Sequence, residues 1–196
     1  MNFDLDSITI ERRCEHTPLA TRVIHANANR VPLSYVDDAR ELARSVAGTD
    51  PFGAGKRRMI VARRKTPFLM ACPAGSSRFA CCGYLVLTLA SNCPMDCSYC
   101  FLQEFLADNP AFQVYANFTD SFDELDRLIH TVPEKQFRVG TGELADSLAF
   151  DSITGMSREL IEFFAARKTL TLEFKTKTDE IENLLAADPR CGKALF

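Results

Sequence analysis

The stretch YLVLTLASNCPMDCSYCFLQ, residues 84–103, decides how this sequence is read. Its first six residues form an apolar, β-rich run of the kind found in a buried parallel strand. Cys93, Cys97 and Cys100 follow as C-x3-C-x2-C, and residues 101–107 (FLQEFLA) are helical in composition. In parallel α/β folds ligands gather at the carboxyl ends of strands, so the loop over 92–100 is where chemistry is expected. Three thiolates this close in sequence can take three corners of one compact metal centre. They leave a coordination position open, and catalysis needs one. Two other readings stand beside this one. Zinc ordinarily takes paired CxxC units or a fourth Cys or His ligand, and the nearest histidine, His130, is far away in sequence. The third reading is a set of buried structural thiols.

Downstream of this stretch the pattern becomes regular. Residues 122–130 (FDELDRLIH) carry Phe122, Leu125, Leu128 and Ile129 on one helical face, with Thr119 or Asp120 as a cap. Residues 136–139 (QFRV) read as a strand ending in Gly140-Thr141-Gly142-Glu143. Residues 157–166 (SRELIEFFAA) read as a helix, 169–174 (TLTLEF) as a strand and 179–187 (DEIENLLAA) as a helix. Residues 193–196 (KALF) open a fourth strand. Alternating strands and helices imply βαβ units on a parallel sheet. An apolar edge left open is a liability that a complete domain covers, so the chain is expected to be the front part of a longer protein.

Upstream the signal is weaker. Residues 37–47 read as a short helix, 49–55 (TDPFGAG) as a turn and 59–62 (MIVA) as a short strand between basic residues. A boundary is placed near residue 80, with 1–80 as an N-terminal extension and 81–196 as the core. The whole chain has 196 residues, 46% hydrophobic and 25% charged, a net charge of -3 and no Trp. That composition excludes a disordered or collagen-like chain. No apolar run approaches the roughly 18 residues that span a bilayer. The first eleven residues lack the apolar segment of a secretory signal, which points to the cytoplasm and argues against a disulfide framework for the eight cysteines. Six of the eight crowd between Cys72 and Cys100, which points to metal or cluster ligation.

C-x3-C-x2-C with an aromatic just before the last cysteine resembles the cluster motif of radical S-adenosylmethionine (SAM) enzymes. Residues 93–103 (CPMDCSYCFLQ) are similar to the spore photoproduct lyase family, whose motif continues with an aromatic, Leu and Gln. The similarity extends from about Arg57 to Lys177. The resemblance implies an α/β fold, a partial (β/α) TIM-like barrel of the radical SAM type, truncated at about the fourth strand and preceded by the N-terminal extension. It implies a 4Fe-4S cluster on Cys93, Cys97 and Cys100, with S-adenosyl-L-methionine on the fourth iron. An electron from an external donor such as flavodoxin or ferredoxin would cleave SAM to methionine and a 5′-deoxyadenosyl radical. That radical would abstract hydrogen from substrate.

The same resemblance implies further SAM-binding residues. Tyr99 sits where the family's aromatic packs near the adenine; the alternative is an ordinary core aromatic. Gly142 and Glu143 match the last two residues of a Gly-Gly-Glu element that receives the SAM ammonium; the alternative is a glycine turn with a solvated acid. Asp146 and Ser147 follow as cofactor contacts or caps. Lys177, preferred over Lys175, stands where the family places a lysine near the SAM carboxylate; the alternative is a solvated charge. One departure matters. The family carries a hydrogen-donating cysteine after the second strand, and this chain has none between Cys100 and Cys191. Cys72, Cys81 and Cys82 are candidate substitutes, with packing thiols as the alternative. The basic run from Lys56 to Lys65 is a candidate phosphate contact for DNA. The expected function is therefore radical SAM chemistry on damaged DNA. The alternatives are the same chemistry on a non-DNA substrate, or a non-catalytic Fe-S or zinc-binding module.

Overall fold

Buried parallel strands need apolar residues on both faces, and the strands of the N-terminal half have them. Ile8, Ile10, Met59, Ile60 and Val61 are all buried. They lie in β1 (Ser7–Glu11) and β3 (Arg58–Ala62), separated by α1 (Pro18–Asn27), β2 (Leu33–Val36), α2 (Ala39–Arg44) and α3 (Pro51–Lys56). The chain then passes through β4 (Leu69–Ala71) and β5 (Tyr84–Leu87), and continues with β6 (Ala90–Ser91), α4 (Leu102–Phe105) and β7 (Phe112–Tyr115). The computed structural model describes residues 4–44, 50–72, 83–187 and 194–195.

By its contacts the chain divides into two units, each built from two stretches. One comprises Met1–Arg64 with Ala90–Asn117, the other Lys65–Leu89 with Phe118–Phe196. The first unit holds a five-stranded sheet in the order β2-β1-β3-β7-β6, parallel except for β6. The neighbour order 2-1-3 is that of a doubly wound sheet. Of the stretch expected as an N-terminal extension, the part up to Arg64 falls in this α/β unit and the part from Lys65 in the other, and the cysteine loop groups with the first. The expected boundary near residue 80 lies outside the described residues.

Several elements here escaped the periodicity reading. Thr9, Glu11 and Gln113 break the apolar pattern of β1 and β7, yet all three are buried. Thr9 Oγ1 meets Ser34 Oγ on the neighbouring strand at 3.0 Å. The turn expected over 49–55 is a helix instead. Asp50 Oδ1 caps it by accepting from the Gly53 N–H at 2.8 Å, and Pro51 opens its first turn.

The second unit adds α5 (Asp120–Thr131), β8 (Phe137–Gly140), α6 (Asp151–Thr154), α7 (Met156–Ala165), β9 (Leu170–Glu173), α8 (Glu182–Leu185) and β10 (Ala194–Leu195). Its sheet runs β10-β9-β8-β5-β4, with β5, β8, β9 and β10 parallel and β4 antiparallel at the edge. Here each new parallel strand lies beside the one before it, which is how the wall of a β/α barrel is laid down. Val139, Leu170 and Leu172 are fully buried on one face, and α7 packs on β9. Phe122 of α5 stacks on Phe163 of α7, centroids 4.1 Å apart. The expected fold class stands: α/β with parallel sheets and a partial barrel.

Candidate functional site

The cysteine loop is irregular because its backbone groups are satisfied by side chains rather than by a ladder. Asn92 opens it in a left-handed conformation (φ 67°) and is 1% exposed. Its Nδ2 donates to the Asn109 and Pro110 carbonyls at 3.1 and 2.6 Å, and its Oδ1 accepts from the Cys93 N–H at 2.7 Å. Gln103 Nε2 donates to Asp96 Oδ1 at 3.1 Å and to the Cys97 carbonyl at 3.2 Å. Lys56, at the end of α3, sends its ammonium to the Met95 carbonyl and to Asp96 Oδ1. That contact holds the Asp96 carboxyl below the ordinary range, first through the hydrogen bond and then through charge. The Cys100 N–H donates to the Cys97 carbonyl at 3.0 Å, closing a turn between two of the thiols.

Cys93, Cys97 and Cys100 form no disulfide and are half-buried. No three His, Cys, Asp or Glu side chains among the described residues gather closely enough for a single metal ion. A cluster asks for something different, one thiolate for each of three irons, and three cysteines on one loop are the donor set it would take. Tyr99 is 74% exposed, and the Cys97 sulfur hydrogen-bonded to it pushes its phenol up. Phe101 and Phe105, 72% and 66% exposed, stand edge to face at 6.5 Å.

In the second unit the loop after β8 is clasped to the chain after β9. Asp146 Oδ1 accepts from the Leu148 N–H and from Thr176 Oγ1, both at 2.9 Å, and its Oδ2 accepts from the Lys177 N–H at 2.6 Å. Ser147 Oγ accepts from the Lys175 N–H at 2.9 Å and from Thr141 Oγ1 at 2.8 Å. Gly142 lies so close to this clasp that a Cβ there would stand 2.6 Å from Lys175 Cβ and 2.9 Å from the Lys175 carbonyl oxygen. The side chains of Asp146 and Ser147 are therefore occupied in joining two strand-end loops. Glu143 is half-buried, and among the described residues its carboxylate accepts no hydrogen bond. Lys177 enters the clasp by its backbone and its side chain is exposed.

Sequence reasoning missed a polar cluster on the same sheet. The Glu173 carboxylate accepts from the Tyr84 hydroxyl at 3.0 Å and pairs with Arg138 Nε at 3.2 Å and Lys175 Nζ at 3.3 Å. Lys175 Nζ also lies 4.6 Å from the Tyr84 ring centroid. Burial pushes the Tyr84 phenol up. Alternation along β5, β8 and β9 puts these residues on the face opposite Val139 and Leu172, a signal available only once the strands are in register. Cys72 donates its N–H to the Tyr84 carbonyl, so it stands at the amino end of β5, away from the strand carboxyl ends. Cys81, Cys82 and Cys191 lie outside the described residues.

The basic run is divided by its own strand. Lys56 is turned inward at 6% exposure, and Arg57 pairs with Asp6 at 2.8 Å. Arg64 lies over the Tyr115 ring at 5.2 Å. No described helix is long and apolar enough to cross a membrane.

Parallel sheets of this order, one of them laid down as a barrel wall, define a partial-barrel α/β protein of the radical SAM fold class. The chain belongs to the spore photoproduct lyase family, whose model matches residues 11–196. A spore photoproduct lyase from a Geobacillus species is 31% identical over 110 residues, which is 56% of this chain and 32% of that protein. The Bacillus subtilis spore photoproduct lyase is 26% identical over the same length and shares. A solved spore photoproduct lyase variant with bound AdoMet and dinucleoside spore photoproduct matches with a TM-score of 0.84 at 22% identity. So does a spore photoproduct lyase complexed with the dinucleoside alone. Each match covers 99% of this chain and 56% of the solved chain. This chain therefore spans about half the length of the solved relatives, and its match to the curated relatives about a third of theirs.

Proposed function

We propose that this chain carries the cluster- and SAM-binding part of a radical SAM enzyme of the spore photoproduct lyase type, acting on damaged DNA. The observation that carries the reading is the loop of three half-buried cysteines in no disulfide, Cys93, Cys97 and Cys100, in a chain of this family. Cys93, Cys97 and Cys100 would hold a 4Fe-4S cluster, which when bound would supply one-electron reductive chemistry on SAM and, through it, hydrogen abstraction from substrate. The protein's part is to hold, orient and shield. The three cysteines ligate. The open carboxylate of Glu143 receives the SAM ammonium, and Gly142 lets the backbone come close to it. Asp146 and Ser147 fix the two strand-end loops that carry Glu143 and Lys177. Lys177 receives the SAM carboxylate, and Tyr99 offers an aromatic face to the adenine. The electron comes from an external donor of the flavodoxin or ferredoxin class. DNA as substrate is supported by what the relatives are named for and by the basic residues Arg63, Arg64 and Lys65.

A second reading is favoured by one observation, the missing cysteine between Cys100 and Cys191. On that reading the same chemistry serves a substrate other than the spore photoproduct. Anaerobic reconstitution with iron and sulfide, followed by dithionite and SAM, tests both. The expected result is a brown protein with a 4Fe-4S spectrum that releases 5′-deoxyadenosine. Ala at any one of Cys93, Cys97 and Cys100 abolishes that release, while Ala at Cys14 preserves it. A colourless protein holding stoichiometric zinc overturns the proposal. Turnover of dinucleoside spore photoproduct separates the first reading from the second.

A further inference from the structure

Lys56 is an unusual lysine for its place in the sequence. It opens a basic run, where solvated charge is the norm, yet it is 6% exposed. Burying an ammonium is costly unless it is paired and hydrogen-bonded. Lys56 has both kinds of partner, and both lie on the segment between Cys93 and Cys97: the Met95 carbonyl and Asp96 Oδ1, the latter at 3.1 Å. The helix that delivers it is pressed against the base of the same loop. A Cβ on Gly55 would overlap the Pro110 carbonyl, and that carbonyl in turn accepts from Asn92 Nδ2 at the start of the loop. Gln103 completes the frame by donating to Asp96 and to the Cys97 carbonyl. The loop is therefore held at its start, middle and end by three side chains that are not themselves ligands.

We infer that Lys56 is a positioning residue of the cysteine loop and, with Asp96, sets a local charge that biases the reduction potential of the centre bound there. The charge part rests on the cluster reading given above; the positioning part does not. Lys56 is buried, whereas the side chain of Asp96 is 87% exposed, so water screens the carboxylate more than the ammonium. Reduction adds an electron to the centre. A fixed positive charge favours the reduced state, and a fixed negative charge opposes it.

Two readouts test this on the whole chain. The first needs no cluster. Hydrogen exchange of the apo-protein is expected to show the amides of residues 93–103 opening at least tenfold faster in Lys56→Met, while those of α7 are unchanged and Lys56→Arg stays close to the parent. Unchanged exchange in Lys56→Met overturns the positioning role. The second is a redox titration of the reconstituted protein followed by electron paramagnetic resonance. Lys56→Met is expected to shift the midpoint to more negative potential and Asp96→Asn to shift it to more positive potential. A loss of packing alone would move both variants the same way, and that result, or no shift, overturns the charge role. Asp96 is exposed, so its variant keeps the test available if Lys56→Met folds poorly. Failure of the parent protein to take up iron overturns the cluster reading and the charge role together, and leaves the exchange result to decide the positioning role.

Discussion

Cys14 and the loop cysteines share a residue type and little else. Cys14 is 1% exposed and lies 4.0 Å from Glu11 Oε2. Burial, and then the Glu11 charge, push its thiol up to about 11. Only the thiolate is nucleophilic, so at pH 8 roughly one Cys14 in a thousand is reactive. Iodoacetamide at pH 8 is expected to label Cys93, Cys97 and Cys100 of the apo-protein while Cys14 stays unmodified by mass spectrometry. Labelling of Cys14 should then rise with pH up to about 11. Gly142 is a residue whose identity the fold requires. In Gly142→Ala the added methyl meets the Lys175 carbonyl, which belongs to the backbone and cannot rotate away. The clasp made by Asp146 and Ser147 must open or shift. A loss of about 1–3 kcal/mol is expected in urea denaturation.

Among the elements, α5 is joined to the turn that follows α7 by an ion pair of good geometry. Arg167 Nε and an Arg167 terminal amine each donate to a different Asp126 oxygen, at 2.6 and 2.7 Å. The guanidinium also lies over the Phe163 ring, at 3.3 Å. The hydrogen bond to Arg167 holds the Asp126 carboxyl below its ordinary value. A carboxyl with a lowered folded pKa stabilises fully above its unfolded value, near 4, and loses that contribution as pH falls through the folded one. The Asp126 side chain is 35% exposed, so solvent screening reduces the pair to about 1 kcal/mol. Asp126→Asn is expected to lower stability by that amount at pH 7 and by progressively less below pH 4, measured by thermal melts across pH. Sequence periodicity placed α5, α7, β8 and β9 to within a few residues, because each carries its own apolar face. It did not place α3, since a capped helix with two glycines has the composition of a turn.

For the whole molecule, the division of the chain is not a single cut. The first unit needs β7 beside β3, with Met59 opposite Phe112 and Val61 opposite Val114. A fragment of residues 81–196 leaves β3 and Lys56 behind. Phe112 and Val114, buried in the intact chain, would be uncovered, and the cysteine loop would lose the frame around Met95 and Asp96. That fragment is expected to melt without cooperativity by far-UV circular dichroism, in contrast to the full chain. A sharp transition would show that the core stands without the first unit.

The sequence by itself determined the donor set on which the proposed function rests, because C-x3-C-x2-C puts three cysteines on one loop whatever surrounds it. It also determined the barrel strands, since runs such as 84–89 and 169–174 carry their burial in their own composition. Tertiary structure alone decided which polar side chains meet. Lys56 and Asp96 are forty residues apart, and Tyr84, Arg138 and Glu173 come from three strands. Side chains that meet across elements leave no periodic trace in any one of them. For the same reason a lysine in a basic run read as solvated charge until the fold turned it inward.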